Sequence, residues 1–259
     1  MARLCDRQIQ NMIDPIISVR NLTKQFGDFT AVDHISFDVG RGEIFGFLGA
    51  NGAGKTTAMR MLCGLSFPTE GTGIVAGYDI RTESEQIKRH IGYMSQRFSL
   101  YQDLTVAENM KLYGGIYGLS GKEIATRVDQ LLHRLNFADH RDDLVGSLPL
   151  GWKQKLAFMV AAIHRPDIVF LDEPTGGVDP ITRRQFWELN RLAASEGTTI
   201  FVTTHYMDEA EYCDRVTMMV DGQIRALDSP TNLRQQYEAD SMEQVFYKLA
   251  REAKRGDMH

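Results

Sequence analysis

Two short stretches of this 259-residue chain carry the residue types that phosphate chemistry needs. Gly49-Ala50-Asn51-Gly52-Ala53-Gly54-Lys55-Thr56 has the spacing GxxxxGK[ST]. Its glycines let the backbone curl so that successive N–H groups converge on an anion, and a helix that follows adds the positive end of its dipole. Lys55 is placed to reach β- and γ-phosphate oxygens, and the Thr56 hydroxyl to ligate Mg²⁺. The second stretch, Ile168-Val169-Phe170-Leu171-Asp172-Glu173, ends an apolar run in two carboxylates. Asp172 suits the metal, directly or through water, and Glu173 suits a general base that polarises an attacking water. An acidic pair after a strand is by itself most often a solvated loop. The phosphate loop upstream is what gives this pair weight.

The surrounding pattern supplies elements to position both stretches. Ile16 to Val19 and Ile35 to Val39 alternate as strands do, with Lys24 to Asp28 read as the turn region between them. Glu43 to Leu48 is a short apolar run entering the glycine-rich loop, and Thr56 to Leu65 follows with helical spacing of Met59, Leu62 and Cys63. Ile168–Leu171 and Thr199–Thr203 read as central strands of a parallel sheet. Between them, Thr105-Val-Ala-Glu108 reads as a capping box, and Ile124, Val128, Leu131, Leu132 and Leu135 form an apolar helical stripe. Residues of about 97–162 therefore read as a helical insert in one α/β layer. Near the end, Ser241-Met-Glu-Gln244 caps a further amphipathic helix with Val245, Phe246 and Leu249.

Composition narrows the class. Charged residues make up 24% and apolar ones 43%, an ordinary globular balance that excludes wholesale disorder. A net charge of -5 argues against a sequence-independent grip on nucleic acid. The longest charge-free runs, Ile44 to Gly54 and Gly197 to Met207, are only 11 residues each, against the roughly 18–20 that span a bilayer. The N-terminus shows no apolar signal core. Cys5, Cys63 and Cys213 are scattered without CxxC spacing, which points away from disulfide or zinc frameworks and toward a reducing cytoplasm. Met218 and Met219 read as core, and Arg183-Arg184 as a solvated helix face.

With these motifs in hand, the chain resembles a nucleotide-binding domain of the ATP-binding cassette (ABC) family, and more narrowly the ATPase subunits of drug-efflux exporters. The likeness runs from Ile16 to Pro230. It implies an α/β P-loop NTPase fold, a RecA-like core with an antiparallel β subdomain and a helical insert subdomain. The corresponding division is a tail (1–14), the cassette (15–230) and a C-terminal helical tail (231–259). The resemblance implies that Phe26 stacks on adenine and that Gln96, in Tyr93-Met-Ser-Gln96, senses Mg²⁺ and water. It implies that Thr57 joins Gly49, Asn51, Gly52, Ala53, Gly54, Lys55 and Thr56 around the nucleotide. His205 matches the switch histidine at the γ-phosphate, and Gly177-Val-Asp179 the loop by which one subunit touches the other's site. The activity implied is ATP hydrolysis with Mg²⁺, with Glu173, His205, Lys55 and Gln96 catalytic and Thr56, Gln96 and Asp172 at the metal. The implied partners are a second ATP-binding subunit, alike or similar, and a separate membrane permease received near Phe98 to Asn109. The implied place is the cytoplasmic face of the inner or plasma membrane.

One stretch departs from the family pattern. Where the family has LSGGQ, this chain has Leu148-Pro149-Leu150-Gly151-Trp152. Pro149 offers neither a hydroxyl nor an N–H, and Leu150 makes close approach and positive φ harder than the usual glycine does. Gly151 and the helix N-terminus remain, so the expectation is a weakened but usable clamp on the partner's ATP. The competing readings are a regulatory or nucleic-acid-associated ABC module and a slowly hydrolysing structural subunit. The absence of a second phosphate loop and of a coiled-coil insertion in these residues argues against the former. Glu173 and His205 argue against the latter.

Overall fold

The computed structural model describes residues 14–96 and 99–256. The expected N-terminal tail, apart from Asp14, therefore lies outside the described residues, as do Cys5 and Phe98.

The chain opens with β1 (Ile17–Phe26) and β2 (Phe29–Val39). β1 reaches further than its polar end suggests. Lys24 pairs with Val32, Gln25 with Thr30 and Phe26 with Phe29, so the turn is Gly27-Asp28 alone. Backbone pairing at a sheet margin tolerates Lys and Gln here because Gln25 stays exposed and Lys24 Nζ finds the Phe67 carbonyl at 2.7 Å. Next come β3 (Ile44–Gly49), α1 (Lys55–Leu62), β4 (Glu70–Val75), β5 (Tyr78–Asp79), α2 (Ser84–His90) and β6 (Ile91–Met94). A helical stretch follows: α3 (Val106–Ile116), α4 (Gly121–Arg134) and α5 (Leu150–Ala162). The chain then runs through β7 (Ile168–Asp172), α6 (Pro180–Ser195), β8 (Thr199–Thr204), a 3-10 turn (Met207–Tyr212), β9 (Arg215–Val220), β10 (Gln223–Asp228), α7 (Pro230–Gln236) and α8 (Met242–Gly256).

Two sheets result. The antiparallel one has the order β2-β1-β4-β5, and the larger one β10-β9-β3-β8-β7-β6. In the larger sheet only the β9–β10 pair is antiparallel. The parallel strands are buried on both faces, and their period of two sorts side chains between two cores. Phe45, Phe47, Phe170 and Phe201 point to the antiparallel sheet and meet Phe37, with ring centroids of Phe201 5.3–5.6 Å from the other three. Ile44, Leu48, Val169, Leu171, Ile200 and Val202 point the other way, toward Phe186, Trp187, Met218 and the face of α8 that carries Val245 and Leu249. Met219 belongs to the first core, so both methionines are buried as expected.

A third core lies among the helices, where Val106 and Met110 of α3 meet Val128 and Leu132 of α4 and Leu156 and Met159 of α5. The Thr105–Glu108 capping box is formed, and a second one, Ser120–Glu123, opens α4. At α8 the Ser241 hydroxyl accepts from the Gln244 N–H (3.3 Å), while the Gln244 side chain reaches back one residue further, to the Asp240 N–H (3.1 Å). Among the described residues no helix is long and apolar enough to cross a membrane.

Candidate functional site

Four neighbouring parallel strands, β3, β8, β7 and β6, bring their C-terminal ends to one edge of the larger sheet, where open α/β sheets place ligands. Gly49 ends β3 and leads into the glycine-rich loop. Asp172 ends β7 with Glu173 next, Thr204 ends β8 with His205 next, and Gln96 lies two residues beyond β6. Residues far apart in the chain therefore converge because parallel crossovers repeatedly return it to the same edge.

The loop is shaped for an anion. Gly52 and Gly54 take φ of +83° and +99°, and a Cβ on Gly54 would stand 2.2 Å from the Ala31 carbonyl oxygen, so no other residue fits there. Gly54 caps α1 without a side-chain bond, and the first intrahelical bond runs from the Ala58 N–H to the Gly54 carbonyl. The amides of Lys55, Thr56 and Thr57 are thus first-turn donors with no intrahelical acceptor, and no acidic side chain sits in that turn. Ala53 is buried and its N–H closes the loop onto the Ala50 carbonyl, while Asn51 is exposed.

Lys55 is buried at the centre. Its Nζ donates to the carbonyls of Gly49 (2.9 Å) and Ala50 (3.0 Å) and stands 3.3 Å from Glu173 Oε1. Burial lowers the Lys55 pKa, and the charges of Glu173 and Asp172 oppose that shift. Thr56 Oγ1 donates to Asp172 Oδ1 (2.9 Å), which also accepts from Thr203 Oγ1 (2.7 Å). Glu173 Oε2 accepts from Gln96 Nε2 (3.1 Å) and lies 3.1 Å from His205 Nδ1. The Glu173 backbone sits in the left-handed region at φ +47°, held by its N–H bonds to the carbonyl and hydroxyl of Thr203 at 3.0 and 3.1 Å. Such strain in a non-glycine residue costs on the order of 1–3 kcal/mol and concentrates at functional sites.

Lys55, Thr56, Gln96, Asp172, Glu173 and His205 therefore form one contiguous set. The donors fit a particular metal. Among the described residues no three His, Cys, Asp or Glu side chains are grouped as a closed cage. What is present is one hydroxyl and one carboxylate 2.9 Å apart beside an anion-binding loop. That sparse set of oxygen ligands suits Mg²⁺, which is commonly held by one or two carboxylates plus substrate phosphates.

Three expected residues lie apart from this set. Phe26 is 56% exposed at the tip of the β1–β2 hairpin, with Lys24 Nζ 5.1 Å above its ring. Gly151 and Asp179 instead approach one another across the N-termini of α5 and α6. Asp179 caps α6, accepting from the N–H groups of Ile181 and Thr182 at 3.0 Å, and a Cβ on Gly151 would meet Thr182 Cγ2 at 2.3 Å. The concern over positive φ at Leu150 does not hold: it opens α5 in helical conformation and is absent from the positive-φ residues, so the backbone asks nothing of it that leucine cannot give.

Arg183 requires a correction too. It is not a solvated residue but sits 19% exposed, 3.3 Å from Asp208, 3.6 Å from Glu209 and 4.4 Å above the Tyr206 ring; Arg184 alone is the solvated member of the pair. Thr203, expected only as part of a central strand, adds a hydroxyl to the site by donating to Asp172. Its only signal was a hydroxyl residue within a buried strand just before His205.

Fold and site together define a P-loop nucleoside-triphosphatase core. Residues 32–176, more than half of the chain, match the family model described as ABC transporter. The probable multidrug ABC transporter ATP-binding protein YbhF of Escherichia coli (strain K12) is 47% identical over 244 residues, which are 91% of this chain and 42% of that protein. The chain thus spans less than half the length of that relative. Nod factor export ATP-binding protein I of Ralstonia nicotianae is 39% identical over 220 residues, 85% of this chain and 68% of that protein. Among solved structures, an ATP binding subunit of an ABC transporter superposes with a TM-score of 0.80 at 26% identity, covering 90% of this chain and 99% of that one. The cbiO1 protein of Clostridium perfringens, part of the ABC transporter complex cbiONQ, gives 0.80 at 27%, covering 87% and 92%. The chain belongs to the ABC transporter family, as one of its ATP-binding cassettes.

Proposed function

We propose that this chain binds ATP with Mg²⁺ at the Gly49–Thr57 loop and hydrolyses it, powering export through a separate membrane permease on whose cytoplasmic face it sits. The observation that carries the hydrolytic reading is the position of Glu173, whose two carboxylate oxygens face Lys55 on one side and Gln96 and His205 on the other. A carboxylate bound only for structure needs no such ring of separate catalytic types around it.

The residues divide the work as follows. The loop amides and Lys55 hold the terminal phosphates, with Lys55 exchanging its two carbonyl contacts for phosphate oxygens. Thr56 and Asp172 would hold Mg²⁺, which when bound neutralises charge on the β- and γ-phosphate oxygens. Glu173 orients a water and takes its proton, and Gln96 and His205 fix the carboxylate in position. His205 and Lys55 stand ready for the negative charge that grows on the γ-phosphate oxygens. Phe26 offers an exposed ring for the adenine. Gly151 and the N-terminus of α5, with Asp179, face a second subunit, and the exposed residues Tyr101, Gln102, Asp103 and Glu108 receive the permease; Asn109, expected on that surface, is instead fully buried with its amide bonded to the Tyr101 and Thr105 carbonyls. The relatives named for multidrug and Nod factor export support the direction of transport. We divide the chain accordingly into a cassette (15–230), with the helices of about 97–162 as its insert subdomain, and a C-terminal helical tail (231–259).

The test is release of inorganic phosphate from ATP by the purified chain, with and without Mg²⁺. Turnover that needs Mg²⁺ and is abolished together with nucleotide binding by Lys55→Ala is the expected result. A chain that leaves ATP intact under all conditions refutes the reading.

A further inference from the structure

Glu209 belongs to none of the motifs above, yet it is one of the few buried acidic side chains, with 0% exposure. It lies in the 3-10 turn that follows His205. Its Oε1 accepts from Thr175 Oγ1, and Arg183 Nε stands 3.6 Å from the same oxygen. Burial pushes the Glu209 carboxyl above its ordinary range, and the hydroxyls of Thr175 and Thr204 pull it back. These partners come from three separate segments. Thr175 is two residues beyond Glu173, Thr204 immediately precedes His205, and Arg183 lies in the first turns of the helix capped by Asp179. Arg183 also clasps the His205 segment from its far side, through Tyr206 and Asp208.

We propose that Glu209 is a positioning residue that fixes His205 and Glu173 relative to one another and ties both to the Asp179-capped helix. The inference rests on the hydrolytic reading above. Stability alone does not account for the arrangement. A buried carboxylate whose one nearby cation among the described residues, Arg183, stands 3.6 Å away, outside hydrogen-bond reach, costs more than a hydrocarbon cluster of the same volume. Meanwhile the His205–Glu173 contact of 3.1 Å depends on how two loops sit against each other, and a shift of about 1 Å in such a contact is enough to cost catalysis heavily. Glu209 is the side chain that touches or neighbours both loops. Because α6 is anchored to the same carboxylate, movement at Asp179 reaches His205 through Arg183 and Glu209.

Glu209→Gln keeps the volume and removes the charge, and Thr175→Val removes the hydroxyl that Glu209 accepts from. The measurement is steady-state ATP turnover of the full chain with Mg²⁺, alongside thermal unfolding of each variant. Expected for Glu209→Gln is a fall in kcat of about tenfold or more with KM within about twofold of the parent, because the phosphate loop is untouched. Thr175→Val lowers kcat in the same sense, and the double variant is no worse than Glu209→Gln alone, since both break one connection. Should Glu209→Gln not fold, the same split in Thr175→Val carries the test. The proposal is overturned if kcat stays within about twofold in both variants. It is overturned equally if kcat, KM and unfolding temperature deteriorate together and the two losses multiply, the mark of general loosening. A parent chain that turns over no ATP sinks the hydrolytic reading and this inference with it, whereas normal parent turnover with an indifferent Glu209 sinks only the latter.

Discussion

Glu173 is held in an unfavourable backbone conformation by Thr203 and surrounded by Lys55, Gln96 and His205. A glutamine in its place keeps the shape, accepts through one oxygen where Glu173 accepts through two, and cannot take a proton from water. Glu173→Gln is therefore expected to lower turnover by about 10²–10⁴-fold, the usual worth of a general base, with the dissociation constant for a fluorescent ATP analogue essentially unchanged. Turnover within a few fold of the parent removes Glu173 from the base role. Lys55 supplies the complementary case at the same scale. Its charge is buried at some cost, opposed by Glu173 and Asp172, and a triphosphate offers it a stronger partner. Ligand bound only by the folded state at about 100 times its dissociation constant adds roughly 2.7 kcal/mol of stability. Unfolding followed by fluorescence should show that gain with MgATP in the parent chain and its loss in Lys55→Ala. An equal gain in both would place the nucleotide elsewhere.

At the scale of elements, the loop after α5 carries a pH-sensitive join. His164 stacks on Tyr117 with ring centroids 3.7 Å apart, its Nε2 donates to the Ile91 carbonyl at 3.0 Å, and Nδ1 is buried without a partner among the described residues. Burial, slightly opposed by that hydrogen bond, brings its pKa down to about 4. The unfolded chain, near 6.5, takes up the proton first, so stability is complete above pH 6.5 and falls away as the pH drops toward 4. Between pH 7.5 and 5 the loss from this one group is about 2 kcal/mol. Urea denaturation should show the decline, and His164→Gln should flatten it; an unchanged slope assigns the acid sensitivity to other groups. The same scale explains what the sequence made legible. Lys55-Thr56 and Asp172-Glu173 could be read because each is a local string next to an apolar strand, and Thr105–Glu108 because a capping box is four residues long. Ser120–Glu123 has the same form and was equally open to reading. Thr203 beneath Asp172, and Arg183 against Asp208 and Glu209, could not be read, since they depend on strand register and on helices that meet only after folding. At Lys24-Gln25 the polar composition points to a turn, whereas backbone pairing to Val32 and Thr30 extends the strand and Lys24 Nζ bonds the Phe67 carbonyl, a contact between segments 43 residues apart.

For the molecule as a whole, the decisive fact is that Gly151 and Asp179 sit together, at the N-termini of α5 and α6, and apart from Lys55. The proposed pairing of two cassettes gives this patch a role that the distant Lys55 site leaves open: the first amides of α5 are offered to a second subunit, while Asp179 already caps α6. Glu173→Gln with MgATP should then elute as a species of twice 29.3 kDa, and return to the single mass when the nucleotide is removed. The two unusual residues at this surface bear on the same equilibrium. Pro149 caps α5 with no side-chain hydrogen bond, leaving early amides of the helix to whatever approaches, and the Leu150 side chain is 41% exposed and leans over Gly177. A serine at 149 would supply a hydroxyl to those amides, worth about 1 kcal/mol to the helix, and to an incoming phosphate; a glycine at 150 would clear the approach to the Gly177 loop. The paired substitution Pro149→Ser with Leu150→Gly is thus expected to lower the nucleotide concentration at which the Glu173→Gln form dimerises and, on the parent background, to raise turnover in proportion to dimer formed. Sedimentation at several ATP concentrations separates the two effects. If dimerisation and turnover are both unmoved, the proline and the leucine are neutral replacements at the start of α5.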